Sequence, residues 1–294
     1  MRAPGSTTAT FIRPLPAESR LYVAHTGADR ADVFDCVSGA YLRSLPDHPG
    51  VAGVLIDSEQ DLLLTSDRGD KRLSVYRCSD ESLRGLIEVG FRPNGIAYDP
   101  VRRHAFSFNL GEPIGENCTA SVASVNEMEV IDTIRLPGRP RWAIYDRTRD
   151  SIFANIREPS AIIIIDAQTL QMIGAFDVPA SGPHGLVLAK GQLICAADEG
   201  KVVALDPDEG RVLRTAGLPG EPDVVMYDAN ADQLFVAVGD PGVVLVLDRA
   251  TLQLVATLET ERGAHTIAWD PGTRTLFAFL PTRCGALAFA EVEV

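Results

Sequence analysis

No stretch of this chain shows the apolar spacing of an amphipathic helix over the roughly ten residues that a helix needs. The five cysteines are an odd number and form no CxxC pair, so neither a disulfide framework nor a thiolate zinc site is indicated. Long apolar runs are missing as well. The most apolar segment, residues 161–165 (AIIII), has the length of a strand and is far too short to cross a bilayer. The first residues hold no apolar core of signal-peptide length, so the chain is expected to be soluble and cytoplasmic, with no membrane partner. Basic tails are absent, and 40 acidic residues against 27 basic ones leave a formal net charge of -13. Such a surface repels phosphate backbones, so nucleic acid is not an expected partner. There is no GxSxG elbow, P-loop or dinucleotide fingerprint, and therefore no sign of a nucleotide cofactor.

What is present is a repeat. Short apolar segments ending in Asp recur as GVLID, GIAYD, WAIYD, VVMYD and TIAWD, closing at Asp57, Asp99, Asp146, Asp228 and Asp270. Each is followed by a second strand-like run (DLLLTSD, HAFSFN, SIFAN, QLFVAV, TLFAF), then a third (RLSVYR, AIIIID, KVVALD, VVLVLD) and a fourth (QMIGAFDVP, RVLRTAGLP, QLVATLE). Two further units fit less regularly: HGLVLAKGQLICAA, and an opening TFIRPLPAESRLYVAH with Leu15 in place of the Asp. Four short strands in a unit of roughly 40 residues mark a propeller blade. Seven such units predict an all-β fold, a seven-bladed β-propeller of four-stranded antiparallel blades spanning residues 1–294 as one domain. Residues 1–8 are expected to be a flexible N-terminus, and residues 110–120 a surface loop insertion.

The segments LYVAHTGADRADVFDCVSG and QLFVAVGDPGVVLVLDRATLQLVATL are similar to YVTN-type propeller repeats, and the likeness extends over nearly the whole chain. Two shorter segments, RPNGIAYDP and EPDVVMYDANADQLFVA, resemble strand openings of the gluconolactonase and senescence-marker-protein family. That resemblance implies a calcium- or zinc-dependent lactonase with Asn94 and Asp223 as metal ligands. The family has six blades, however, and its N-terminal Glu ligand has no counterpart in context here.

In a propeller the first strand of each blade lines a central channel. The loop leading into that strand opens on the same face as the loop between strands two and three. The position five before each strand-ending Asp therefore forms a ring at one channel mouth: Thr10, Ala52, Asn94, Arg141, His184, Asp223 and His265. Small or apolar residues are the default at such a position, yet five consecutive blades present polar side chains. Asn94, His184, Asp223 and His265 could hold one divalent cation (Ca, Zn or Mg) with positions left open for water. Alternatively, His184, His265 and Asp223 could act as catalytic acid–base groups without metal. Arg141 suits a substrate carboxylate or phosphate, with Trp142 as a pocket wall. The second loop set on this face brings His25, Asp67 and Asn155 as substrate-binding candidates, together with Asn109 and Asp198, and with Arg68, Arg157 and Glu199 beside them. His48 maps to the same mouth. The reading that follows is a small-molecule enzyme, a lactonase-like hydrolase or a lyase or isomerase. Its rival is a non-catalytic YVTN-like scaffold that binds a ligand or a protein partner.

Overall fold

The computed structural model describes residues 11–15, 20–283 and 285–290, with side chains described from residue 20 onward. Seven antiparallel sheets follow one another along the chain, and each is a meander in which sequence neighbours pair. The innermost strands are Phe11–Leu15, Val51–Asp57, Pro93–Asp99, Pro140–Asp146, Pro183–Ala189, Pro222–Asp228 and Ile267–Asp270. Each packs against the inner strand of the next blade, and Ile267–Asp270 closes the circle against Phe11–Leu15. This is the predicted seven-bladed propeller.

Six sheets have four strands. The seventh has three among the described residues: Ile267–Asp270, Thr275–Leu280 and Gly285–Ala290. Among the described residues the first strand, Phe11–Leu15, belongs to the first blade. It pairs with its own sequence neighbour Arg20–His25 across a short connection, which costs little loop entropy. Ring position Thr10 and the expected flexible residues 1–8 lie outside the described residues.

Second and third strands are buried on both faces because blades stack flat against one another, and they read accordingly as continuous apolar runs. Ser151–Ile156 is buried throughout, and Leu62, Leu63, Leu64, Phe106 and Phe153 are essentially inaccessible. Each such side chain stabilises the fold by about 1.5–3 kcal/mol. Outer strands alternate instead, as in Glu129–Arg135, with one side of the pleat on the blade stack and the other in solvent.

The recurring Asp has a local cause. Its carboxylate accepts the backbone N–H two residues on: Val101 to Asp99 (2.8 Å), Thr148 to Asp146 (2.8 Å), Asn230 to Asp228 (2.9 Å) and Gly272 to Asp270 (2.9 Å). These Asx turns reverse the chain at the rim opposite the ring. Arginines then tie neighbouring blades across that rim. Arg102 joins Asp99 to Asp150, and Arg149 joins Asp146 to Asp208. The segment 110–118 connects His104–Asn109 to Thr119–Ser124 on the ring side.

Candidate functional site

The ring residues occupy irregularities in the ladder between first and second strands. Register breaks fall between Val51 and Gly53, between Pro140 and Ala143, between Pro183 and Gly185, and between Pro222 and Val225. Ala52, Arg141, His184 and Asp223 lie inside those breaks. A bulge leaves its extra residue unpaired and re-aims its side chain, here toward the channel mouth. Pro93, Pro140, Pro183 and Pro222 stand immediately before the ring residue, where a missing N–H removes no ladder bond. The residue after the ring position is small where blades approach most closely. A Cβ on Gly185 would lie 2.4 Å from the Asp223 carbonyl oxygen, and one on Gly95 would lie 2.7 Å from that of Arg141. Glycine at these two places lets adjoining ring backbones touch.

Four of the predicted residues, Arg141, His184, Asp223 and His265, come together in one cavity of about 950 Å³. Its walls also include Asp198 and Arg157, both on the loop after the second strand of their blades, as well as Glu221, Asp240 and Arg262. His184 lies between two carboxylates, with Nδ1 2.8 Å from Asp198 Oδ1 and Nε2 2.9 Å from Asp223 Oδ1. Both ring nitrogens therefore donate, which is the hydrogen-bonding pattern of an imidazolium. Burial opposes that charge, but the Asp223 charge and the bonds to Asp198 and Asp223 outweigh it and raise the His184 pKa. Burial likewise works against ionised Asp198 and Asp223, and again loses: His184 holds both carboxyl groups below their usual range, helped at Asp223 by His265 and Arg141.

His265 differs from His184. Its side chain is 42% exposed, and its Nδ1 donates to the Gly263 carbonyl oxygen at 2.7 Å. That bond fixes the tautomer and leaves Nε2 facing the cavity, 3.7 Å from Asp223 Oδ2. Among the described residues Arg141 makes no ion pair within 4 Å, and its Nε is buried without a partner. Burial and the neighbouring Arg139 charge push the Arg141 guanidinium down to about 10.

The other predicted residues are placed elsewhere. His25 is fully buried, 2.7 Å from Asp32 Oδ2. Asp67 is fully buried too and accepts from His48, Arg72 and Ser74. Trp142 is a member of the main apolar core and is not a cavity wall. Asn155 is buried and donates to the carbonyl oxygens of His184 and Gly185, both at 3.0 Å. It positions the His184 backbone and does not face a ligand. Of the four expected metal ligands, His184, Asp223 and His265 line this cavity, whereas Asn94 is not among its lining residues. Both nitrogens of His184 are engaged by carboxylates, and Asn94 Oδ1 accepts from the Arg68 guanidinium. Among the described residues no three His, Cys, Asp or Glu side chains stand together as a metal set. Arg262, Glu221 and Asp240 were not anticipated: Glu221 and Arg262 only flank aligned ring positions, and Asp240 lies on the loop after a second strand.

No protein-family model matches the chain, and no curated protein matches its sequence. The YVTN and lactonase likenesses are therefore unconfirmed. Solved structures match the fold. One is described as hydrazine synthase from Kuenenia stuttgartiensis, with TM-score 0.86, 14% identity, and coverage of 99% of this chain and 97% of that one. Another is a chain of a mitotic checkpoint complex, with TM-score 0.84, 10% identity, and coverage of 100% and 91%. At these identities the likeness establishes the propeller fold alone. No helix among the described residues is long and apolar enough to cross a membrane.

Proposed function

We propose that the cavity is the active site of a small-molecule enzyme that uses acid–base chemistry on an oxyanion-bearing metabolite, with hydrolysis of a cyclic ester favoured. The observation that carries this reading is the convergence of Arg141, His184, Asp223 and His265 from four consecutive blades on one cavity. Arg141, with no carboxylate of its own, is suited to anchor a carboxylate or phosphate through its planar fork. His265 Nε2 would take a proton from water as its oxygen bonds to the ester carbonyl carbon. The Asp223 carboxylate stands where it would steady the imidazolium so formed. The proton would then pass to the departing ring oxygen as the acyl–oxygen bond breaks, leaving a hydroxy acid. His184, with both N–H groups engaged, is a fixed positive charge that orients Asp223 and shuttles no proton.

The test is a screen of lactones and carboxylate esters by proton release, with metal content measured in parallel. Replacing His265 with Ala should lower kcat by about 100- to 10,000-fold, the usual worth of a positioned general base, while circular dichroism stays unchanged. Turnover that survives His265→Ala intact would overturn the assignment.

A second reading is a non-catalytic binding propeller. It is favoured by exposed apolar side chains on outer strands, among them Ile173, Leu254 and Val255, and by the occurrence of this fold in a protein assembly. Ligand binding without turnover across the screen would select it.

A further inference from the structure

Arginines on both rims hold carboxylates, Arg92, Arg157 and Arg262 among them at the ring mouth. On the rim opposite the ring, Arg102, Arg149 and Arg249 each hold carboxylates. At the ring mouth Arg68, Arg139 and Arg141 have no carboxylate within 4 Å among the described residues, and the Nε of each is buried without a partner. This is unexpected in a chain with 40 acidic residues against 27 basic ones.

Backbone contacts place the three on one arc. Arg68 leaves the second strand of blade 2 and donates to the Asn94 side chain in blade 3. Gly95, next to Asn94, touches the Arg141 carbonyl of blade 4. Arg139 stands two residues before Arg141, and its carbonyl oxygen accepts from Arg157 N–H at 2.8 Å. The charges act on one another. Burial, with Arg141, Arg139 and Arg92 nearby, pushes the Arg68 guanidinium down to about 10. Buried, mutually repelling cations destabilise a fold unless something of opposite charge answers them. The carboxylates of the cavity, Asp198, Glu221, Asp223 and Asp240, come from blades 5 and 6, and Arg157 and Arg262 already answer Asp198 and Asp240.

We propose that Arg68, Arg139 and Arg141 form a cradle for a doubly charged oxyanion, so that the ligand lies with its anionic end over blades 2 to 4 and its reacting end at His265. The inference rests on the proposed site but adds a ligand class: a phosphate group or a paired carboxylate, and not a lone carboxylate. Three charged forks around one group supply more donors than a single carboxylate can accept.

The test is isothermal titration of the full chain with inorganic phosphate, succinate and acetate at matched ionic strength. Phosphate or succinate should bind, whichever does identifying the group, and acetate should bind at least about 10-fold more weakly, as expected from losing one charge-assisted contact. Arg139→Gln should cost about 10-fold in that affinity. It should also raise the melting temperature of the ligand-free protein, because it removes a repelling charge; a merely structural arginine would lower it. Equal affinity for all three anions, or an Arg139→Gln protein that binds normally, would overturn the cradle. His265→Ala should leave anion binding intact. The cradle can thus fail while His265-dependent turnover stands, and turnover can fail while the cradle stands.

Discussion

Two histidine–carboxylate pairs lie on the same face of the ring, and their partners come from different places. In blade 2, His48 Nδ1 is 3.0 Å from both oxygens of Asp67 and 3.2 Å from the Thr65 hydroxyl, and its Nε2 is 2.9 Å from the Tyr76 hydroxyl. Asp67 also accepts from Arg72 at 3.1 Å and Ser74 at 2.7 Å. Every partner belongs to the same blade or the loop leading into it, and the group is buried. His25 with Asp32, Arg30 and Ser44 repeats this arrangement in blade 1. The His184 group is built across blades instead: Asp198 from blade 5, Asp223 from blade 6, His265 from blade 7 and Arg141 from blade 4 border one open cavity. A network closed within a blade holds that blade's strands together. One strung between blades borders an open cavity, which is where we propose that a ligand binds.

The contrast can be broken most forcefully at Asp67. Replacing it with Ala leaves His48, Arg72 and Ser74 without their common acceptor in a sealed interior, and removing one partner of a buried pair costs about 3–5 kcal/mol. Denaturant unfolding should show that loss as a lower midpoint. His184→Ala, at a group open to the cavity, should cost distinctly less stability while abolishing turnover. Comparable destabilisation by the two would erase the distinction.

A smaller effect sharpens it. Gly185→Ala places a methyl group 2.4 Å from the Asp223 carbonyl, in an interface where overpacking costs typically about 1–3 kcal/mol. The strain falls between blades 5 and 6, so His184 and Asp223 should be driven apart. Turnover should fall more than stability does, and the blade 2 network should keep its hydrogen-exchange protection. Loss of stability with turnover retained would mean that the blade spacing does not set the site.

These differences bear on what could be read from the chain alone. The blades were legible because each must bury both faces of its middle strands and turn at an Asp, so a local constraint is printed again and again. The ring was legible for the same reason: aligning the Asp57, Asp146 and Asp228 turns aligns the bulges at Ala52, Arg141 and Asp223 five residues earlier. Partnership was not legible. His25, His48, His184 and His265 all map to the same channel mouth, and which carboxylate reaches each one depends on side-chain contacts that no spacing encodes. Asp32, three residues into its strand, claims His25; nothing in LYVAHTGADRADVFD announces it. Trp142 follows Arg141 directly, yet alternation across the strand turns it into the core. Glu221 escaped because the cavity gathers residues flanking the bulge as well as the aligned residue.

The mildest perturbation is pH, and its sign follows from the His184 group. The folded pKa of His184 is raised above the ordinary 6.5, so its contribution to stability is fully present below 6.5 and is lost as pH climbs through the higher folded value. Asp198 and Asp223 are held below the ordinary 3.8, so theirs is present above 3.8 and is lost as pH falls through the lower folded values. The two limits describe one interaction, and between them the carboxylate–imidazolium–carboxylate unit is intact. Melting temperatures of the native protein and of His184→Gln, taken from acid to alkaline pH, should differ most in that window, with the difference shrinking on the alkaline side above 6.5. A difference that instead grows with rising pH would mean that His184 is neutral between its two carboxylates. The pair of donors that distinguishes it from His265 would then be lost.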